Sequence, residues 1–353
     1  MSHAFRMFKP VVASLCLITL AACGGQASPA SSSPAASAPA SKPAAASSSA
    51  KPAASAAASG LITIKNAYAQ TSAVQGPIYI ASDLGFFKKY GLDVQISQVS
   101  GTAQVPAMTA GELQIGTPGG QELVSADLAG AGIVMIAVTS SYPLFSIYGA
   151  KGVNDVKDLA GKSLAITTAG SSTDAAGKLY LRHFGLEKQV KLQPAGSIEG
   201  VLAVTEKGDV GGGVVSPPTT VLAAKDGLKE LVNGPKLGDP MLHSGVSVTR
   251  DYLKTHPDIV KSYLQGYLDG WNFVTNPANE AAVVKSLAKW TKTDEATAKD
   301  SYDYVFLGWS KDKVPAVTPQ AIESVLAIVD NPKAKDAKAT DFFDNSLIQS
   351  LSK

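Results

Sequence analysis

The sequence predicts an α/β protein of two lobes with a helical tail. Three observations predict it. Strand-like and helix-like segments alternate from Leu61 to Thr139, they alternate again from Val153 to Arg250, and beyond Arg250 only helical periodicity remains. Apolar strands separated by helices are buried on both faces, which argues for largely parallel sheets. Two such series with a returning tail suggest two lobes joined by crossing strands, with a cleft between them.

The first residues read as an address. MSHAFRMFKPVVASLCLITLAAC has two basic residues, an apolar run from Val11 to Leu20 and small residues before Cys23, the order of a secretory signal over residues 1–22. Its apolar run is too short to span a bilayer. Leu20-Ala21-Ala22-Cys23 resembles the bacterial lipobox, which implies acylation of Cys23. Residues 23–60 then form the lipidated cysteine and a tether. From Ala27 to Gly60 only Ala, Ser, Pro, Lys and Gly occur, so nothing bulky is buried to offset the entropy of ordering.

Composition closes several function classes. The formal charge of +2 includes Arg6 and Lys9 of the signal, so the mature chain is neutral and nucleic-acid binding has no support. Both cysteines, Cys16 and Cys23, precede the folded part, which excludes disulfides, thiolate nucleophiles and Cys-ligated metals there. His183, His243 and His256 are scattered, without the spacing of a helical metal site, and no cofactor is expected. AGKS at Ala160 to Ser163 has Val156 where a phosphate loop needs glycine, and it runs into a strand.

The elements follow in order. LITIKNAYAQ reads as a strand, PIYIASDLGFFKKYG as one helix ending at Gly91, and LDVQISQV as a strand with Leu92, Val94 and Ile96 on one face. LQIGTPG, a helix over QELVSADLAG and the apolar strand IVMIAVT complete the first series. The second comprises helix VNDVKDLAG, strand SLAITT, helix STDAAGKLYLRHFG, strand VKLQPA, helix IEGVLAVTEKG, strand VGGGVV and helix PTTVLAAKDG. After SGVSVTR, Ile259, Val260, Tyr263, Leu264, Tyr267, Leu268 and Trp271 repeat at helical spacing.

Gln75 to Gly119, with its GP helix, the GFFKKYGLDV turn and strand, and AGELQIG, resembles the periplasmic solute-binding proteins of the aliphatic sulfonate, taurine and nitrate type, a branch that also holds thiamine-pyrimidine-precursor binders. VNDVKDLAGKSLAI resembles the opening of that family's second lobe. The resemblance implies a type II periplasmic-binding fold: residues 61–147 plus 246–353 as lobe one with the tail packed on it, 148–245 as lobe two, and crossovers near Phe145 to Lys151 and Leu242 to Val248. It also implies a monomer, tethered by lipid outside the cell membrane, that captures a small solute and delivers it to an ABC permease. Two other readings stay open, a thiamine-pyrimidine synthase-like enzyme and a ligand-sensing partner of a membrane kinase. The former uses a cysteine-rich motif that the mature chain lacks.

Small ligands of such sheets sit beyond the carboxyl ends of strands, where helix N-termini point free N–H groups into the crevice. The candidates at these ends are Gln75 and Gly76, Gly101 and Thr102, Thr117 and Gly119, Thr139 and Ser140, then Gly170, Ser171, Ser172 and Thr173, with Ser216 and His243 added from lobe two and the return crossover. The loop Ala169 to Thr173 equally reads as a well-made N-cap. Arg6, Arg182 and Arg250 are the only arginines, which argues against a guanidinium clamp on a carboxylate. An anion would then be held by neutral donors. A neutral heterocycle could stack on Tyr142, Tyr68 or Tyr79.

Overall fold

A computed structural model describes residues 60–353. The expected signal, Cys23 and the tether up to residue 59 lie outside the described residues. The first series folds as β1 (Ile62–Tyr68), α1 (Gly76–Asp83), α2 (Phe86–Lys89), β2 (Leu92–Gln98), α3 (Gly101–Thr109), β3 (Ile115–Thr117), α4 (Gly120–Leu128) and β4 (Ile133–Ser140). The second folds as β5 (Ser146–Gly149), β6 (Ser163–Ile166), α5 (Ser172–His183), β7 (Lys191–Pro194), α6 (Ile198–Lys207), β8 (Gly212–Val215), α7 (Thr219–Lys225), β9 (Lys229–Asn233) and α8 (Gly234–Leu237). After β10 (Ser244–Thr249) come α9 (Arg250–Thr255), α10 (Pro257–Val274), α11 (Glu280–Thr291), α12 (Glu295–Trp309), α13 (Pro319–Leu326) and α14 (Ser346–Leu351).

The strands form two five-stranded sheets, ordered β2-β1-β3-β10-β4 and β7-β6-β8-β5-β9. Within each, one strand runs against the rest: β10 is antiparallel to β3 and β4, and β5 is antiparallel to β8 and β9. These two strands belong to the two passages between lobes. The chain leaves the first sheet after Ser140 and returns to it at Ser244, so the passages are residues 141–145 and 234–243. Ser146 and Ile147, expected in lobe one, pair with β8 and β9, whereas Ser244 and Gly245, expected in lobe two, pair with β4. Each expected boundary falls inside a strand, β5 or β10, and the whole strand pairs with one sheet.

Local chemistry explains the other departures. The single helix expected through Gly91 breaks at Gly85, whose φ of 73° lies in the left-handed region that glycine alone enters freely. The helix expected at VNDVKDLAG shrinks to one 3-10 turn, Val156–Leu159, held by the side chains of Asp155 and Asp158.

The tail packs on the first lobe as its periodicity predicts. Tyr263, Tyr267, Trp271 and Trp309 are fully buried, and the polar tips that reach into the sheet are bonded: Tyr263 Oη donates to Asn66 Oδ1 (3.2 Å), Tyr267 Oη to the Val138 carbonyl (2.6 Å) and Trp309 Nε1 to the Thr139 carbonyl (3.0 Å). It also reaches the second lobe. Tyr304 Oη meets Ser146 Oγ at 2.7 Å, and Lys225 Nζ donates to Thr297 Oγ1 at 2.6 Å.

Candidate functional site

Six parallel strands end at one place. The turns after β1, β2, β3, β6, β7 and β8 converge between the lobes on a cavity of about 70 Å³. From the first lobe, Gln75, Gly101, Thr102, Thr117 and Gly119 line it; from the second, Ser171, Ser172, Thr173 and Ser216 do, with His243 between. That volume is well below the several hundred Å³ of drug-sized pockets, so the space suits a molecule of few heavy atoms.

Four expected residues lie elsewhere. Gly76 is a packing glycine inside α1: a Cβ there would stand 2.6 Å from Trp309 Cη2. Thr139 and Ser140 end β4, the edge strand beyond β10, where α12 covers them. Thr139 Oγ1 bonds Ser244 Oγ (2.6 Å) and Ser140 Oγ bonds the Tyr142 backbone (2.9 and 3.1 Å). Gly170, at φ 77°, donates its N–H to Asp174 Oδ2 (3.0 Å) and faces an outer groove between α3 and α4. Gly76→Ala is therefore expected to lower stability by about 1–3 kcal/mol through overpacking, with solute binding unchanged. Urea denaturation beside a binding isotherm checks it.

The tyrosines proposed for stacking are also placed otherwise. Tyr79 is buried flat against Trp290, with centroids 4.6 Å apart, and Tyr68 meets it edge-on, while Lys311 Nζ sits over Tyr142. The aromatic face in the cavity is Phe145, on which the His243 ring stacks at 4.3 Å. Apolar neighbours decided these positions, and a strand-end pattern does not report them.

Most hydroxyls at the α5 entrance bond one another. Thr167 Oγ1, Ser171 Oγ and Thr173 Oγ1 lie within 2.8–3.0 Å of each other, Thr173 Oγ1 accepts from the Thr167 N–H (2.9 Å), and Ser171 caps α5 through the Asp174 N–H. Such a network fixes the loop shape. His243 is similarly occupied: its Nδ1 accepts the Leu144 N–H at 3.0 Å, which leaves the ring proton on Nε2. That bond ties one interlobe passage to the other. Burial lowers its pKa to about 3, so the ring is neutral.

One residue that the sequence reading passed over dominates the electrostatics. Glu122, in the first turn of α4, is 7% exposed, and its carboxylate crosses to the second lobe, accepting from Ser172 Oγ (3.0 Å) and from the Ser172 N–H (3.2 Å). Burial raises its pKa to about 7, partly countered by its own backbone N–H and by the Ser172 bonds, with nearby Asp174 adding to the rise. Beside it Gln121 Nε2 donates to Asp174 Oδ2 at 2.9 Å. Two glycines make the space: a Cβ on Gly101 would stand 2.5 Å from Glu122 Oε1, and one on Gly119 would lie 2.3 Å from Oε2 and 1.6 Å from Ser172 Oγ.

Comparison with known proteins agrees with this architecture. The family model described as NMT1/THI5 like matches residues 72–281. The chain belongs to that family. Among solved structures, the periplasmic aliphatic sulphonate binding protein SsuA of Escherichia coli superposes with a TM-score of 0.59 at 19% identity, over 69% of this chain and 83% of that one. The periplasmic nitrate-binding protein NrtA of Synechocystis gives 0.67 at 14% identity, over 83% and 88%. A ligand-binding component of an ABC-type import system from Staphylococcus aureus, solved with zinc bound, gives 0.68 at 13%, over 82% and 99%. No curated protein matches by sequence. At these identities the likeness establishes the fold, the two-lobed periplasmic-binding type, and not the ligand.

Proposed function

We propose that the protein is the solute-binding component of an ABC importer, held outside the cell membrane by a lipid on Cys23, which encloses one small solute between its lobes and presents it to a membrane permease. The observation that carries this reading is the cavity at the converging strand ends of both sheets, between lobes joined by two passages of chain. A solute touching both lobes contacts its full set of partners only when they are closed, so binding shifts the population toward closure.

Native mass spectrometry of the protein purified from its own host is expected to show one bound small molecule, and removing it should enlarge the radius of gyration in small-angle scattering. Protein that carries no small molecule, and neither compacts nor gains thermal stability with the small-molecule fraction of its host's medium, defeats the reading. Metabolic acyl labelling of the wild type but not of Cys23→Ser tests the anchor.

A further inference from the structure

The reading above leaves the charge of the solute open, and the cavity wall bears on it. Among the residues lining the cavity only Glu122 and His243 are titratable, and no lysine or arginine lines it. The charged group that acts on Glu122 across the lobe contact is Asp174 of α5, which itself pairs with Lys178 at 2.8 Å. His243, on the return passage, is neutral. Glu122 is therefore a buried carboxyl with hydrogen bonds but no cationic partner, an arrangement that a positive or N–H-bearing guest would improve and an anion would worsen.

The position of the carboxylate sharpens the point. The free N–H and hydroxyl at the start of α5 are the groups that an oxyanion would seek at a helix N-terminus, and Glu122 already holds both. At Ser172 a nitrate or sulfonate would have to evict an anion that belongs to the chain and so competes at high effective concentration. A carboxylate has about four lone-pair sites; the two Ser172 contacts and its own backbone N–H use three, so one acceptor site remains for a guest.

We propose that Glu122 is the specificity-determining residue of this site, selecting a small solute that presents an N–H donor, most strongly an amine or amidine cation, and rejecting inorganic and sulfonate oxyanions. This rests on the solute-receptor reading. Because Glu122 ionises near neutrality, binding of a cationic solute strengthens as pH rises through about 7.

The test uses thermal shift and calorimetry on the ligand-stripped mature protein. Probes are methylammonium, acetamidinium, nitrate and methanesulfonate at millimolar concentration, together with the cationic, neutral and anionic ion-exchange pools of the host's medium, at about pH 8 where Glu122 is ionised. The expected result is stabilisation by the cationic or neutral pool and none by nitrate or methanesulfonate, with Glu122→Gln losing at least about tenfold in affinity for the active pool. Stabilisation of the wild type by the anionic pool, nitrate or methanesulfonate overturns the proposal while leaving the receptor reading in place. An active cationic or neutral pool that binds Glu122→Gln unchanged also overturns it. If no pool acts on the wild type, the receptor reading fails and this inference with it. The wild-type pool assignment is independent of whether the variant folds, which its ligand-free melting temperature checks separately.

Discussion

Gly119→Ala is expected to hold the lobes apart and to lower solute affinity by about a hundredfold or more. The backbone at Gly119, φ −71° and ψ 164°, is ordinary extended chain that alanine adopts without strain. The obstacle is across the cleft: the added Cβ would overlap Ser172 Oγ, which a rotamer change could move, and would also lie 2.9 Å from Ser172 Cβ, which only a backbone shift can move. In an open arrangement Ser172 is gone and only the Glu122 carboxylate, free to swing, is in the way. The substitution thus penalises the closed state selectively, and two factors of ten in affinity require only about 2.7 kcal/mol of that selectivity. Scattering should show the variant extended at solute concentrations that compact the wild type, with a melting temperature near that of the ligand-free protein. Wild-type compaction and affinity in Gly119→Ala would mean that Gly119 and Ser172 do not approach in the working protein. Gly101→Ala is a useful companion. The three atoms nearest its Cβ all belong to Glu122, on the same lobe, so it should disturb the carboxylate while permitting closure.

What the sequence made legible follows from the range of the interactions. Alternating strands and helices are written in local periodicity, and so is the tail, whose Tyr263, Tyr267 and Trp271 repeat along one buried face of α10. The convergence of Gln75, Gly101, Thr117, Ser172 and Ser216 was also accessible, because parallel strands place all their carboxyl ends on one edge. Illegible were the features decided by contacts remote in sequence. Thr139 and Ser140 also end a strand, but β10 inserts between β4 and β3, and α12 closes over them. The four-residue β5 and five-residue β9 are too short to show a period.

Glu122 is the instructive miss. An acidic residue in a first turn reads as a complement to its own helix dipole, whereas this one serves the N-terminus of a different helix, 50 residues on, in the other lobe. A weak signal existed in the Gly119-Gly120 pair just ahead of it and in Gly101. Glycines whose dihedral angles do not require glycine indicate a close approach: the carboxylate approaches Gly101, Ser172 and the carboxylate approach Gly119, and Leu242 approaches Gly120.

Glu122 and His243 both contribute to the pH dependence of folding, and they act in opposite directions. The folded-state pKa of Glu122, about 7 against an ordinary 4.5, means that the folded chain binds more protons than the unfolded one between those values. Its stabilisation is full below about pH 4.5 and is lost as pH rises through 7. For His243, about 3 against 6.5, the folded chain binds fewer protons, so its stabilisation is full above about pH 6.5 and is lost as pH falls toward 3. Between pH 7 and 4.5 each contribution changes by about 2–3 kcal/mol, with opposite sign. The wild type should therefore show little net change from this pair across that interval, and single substitutions should expose each slope. His243→Asn keeps an acceptor for the Leu144 N–H but no titrating ring, and relative to wild type it should gain about 2–3 kcal/mol on acidification from pH 7 to 4.5. Glu122→Gln should lose a similar amount over the same interval. Urea midpoints at several pH values give both differences, and other titrating groups cancel because each variant is compared with the wild type at the same pH. Parallel profiles for all three proteins would show that neither side chain is buried in the protonation state that its surroundings demand: a neutral imidazole stapling the two passages and a carboxyl, uncharged below neutrality, pressed against the far lobe.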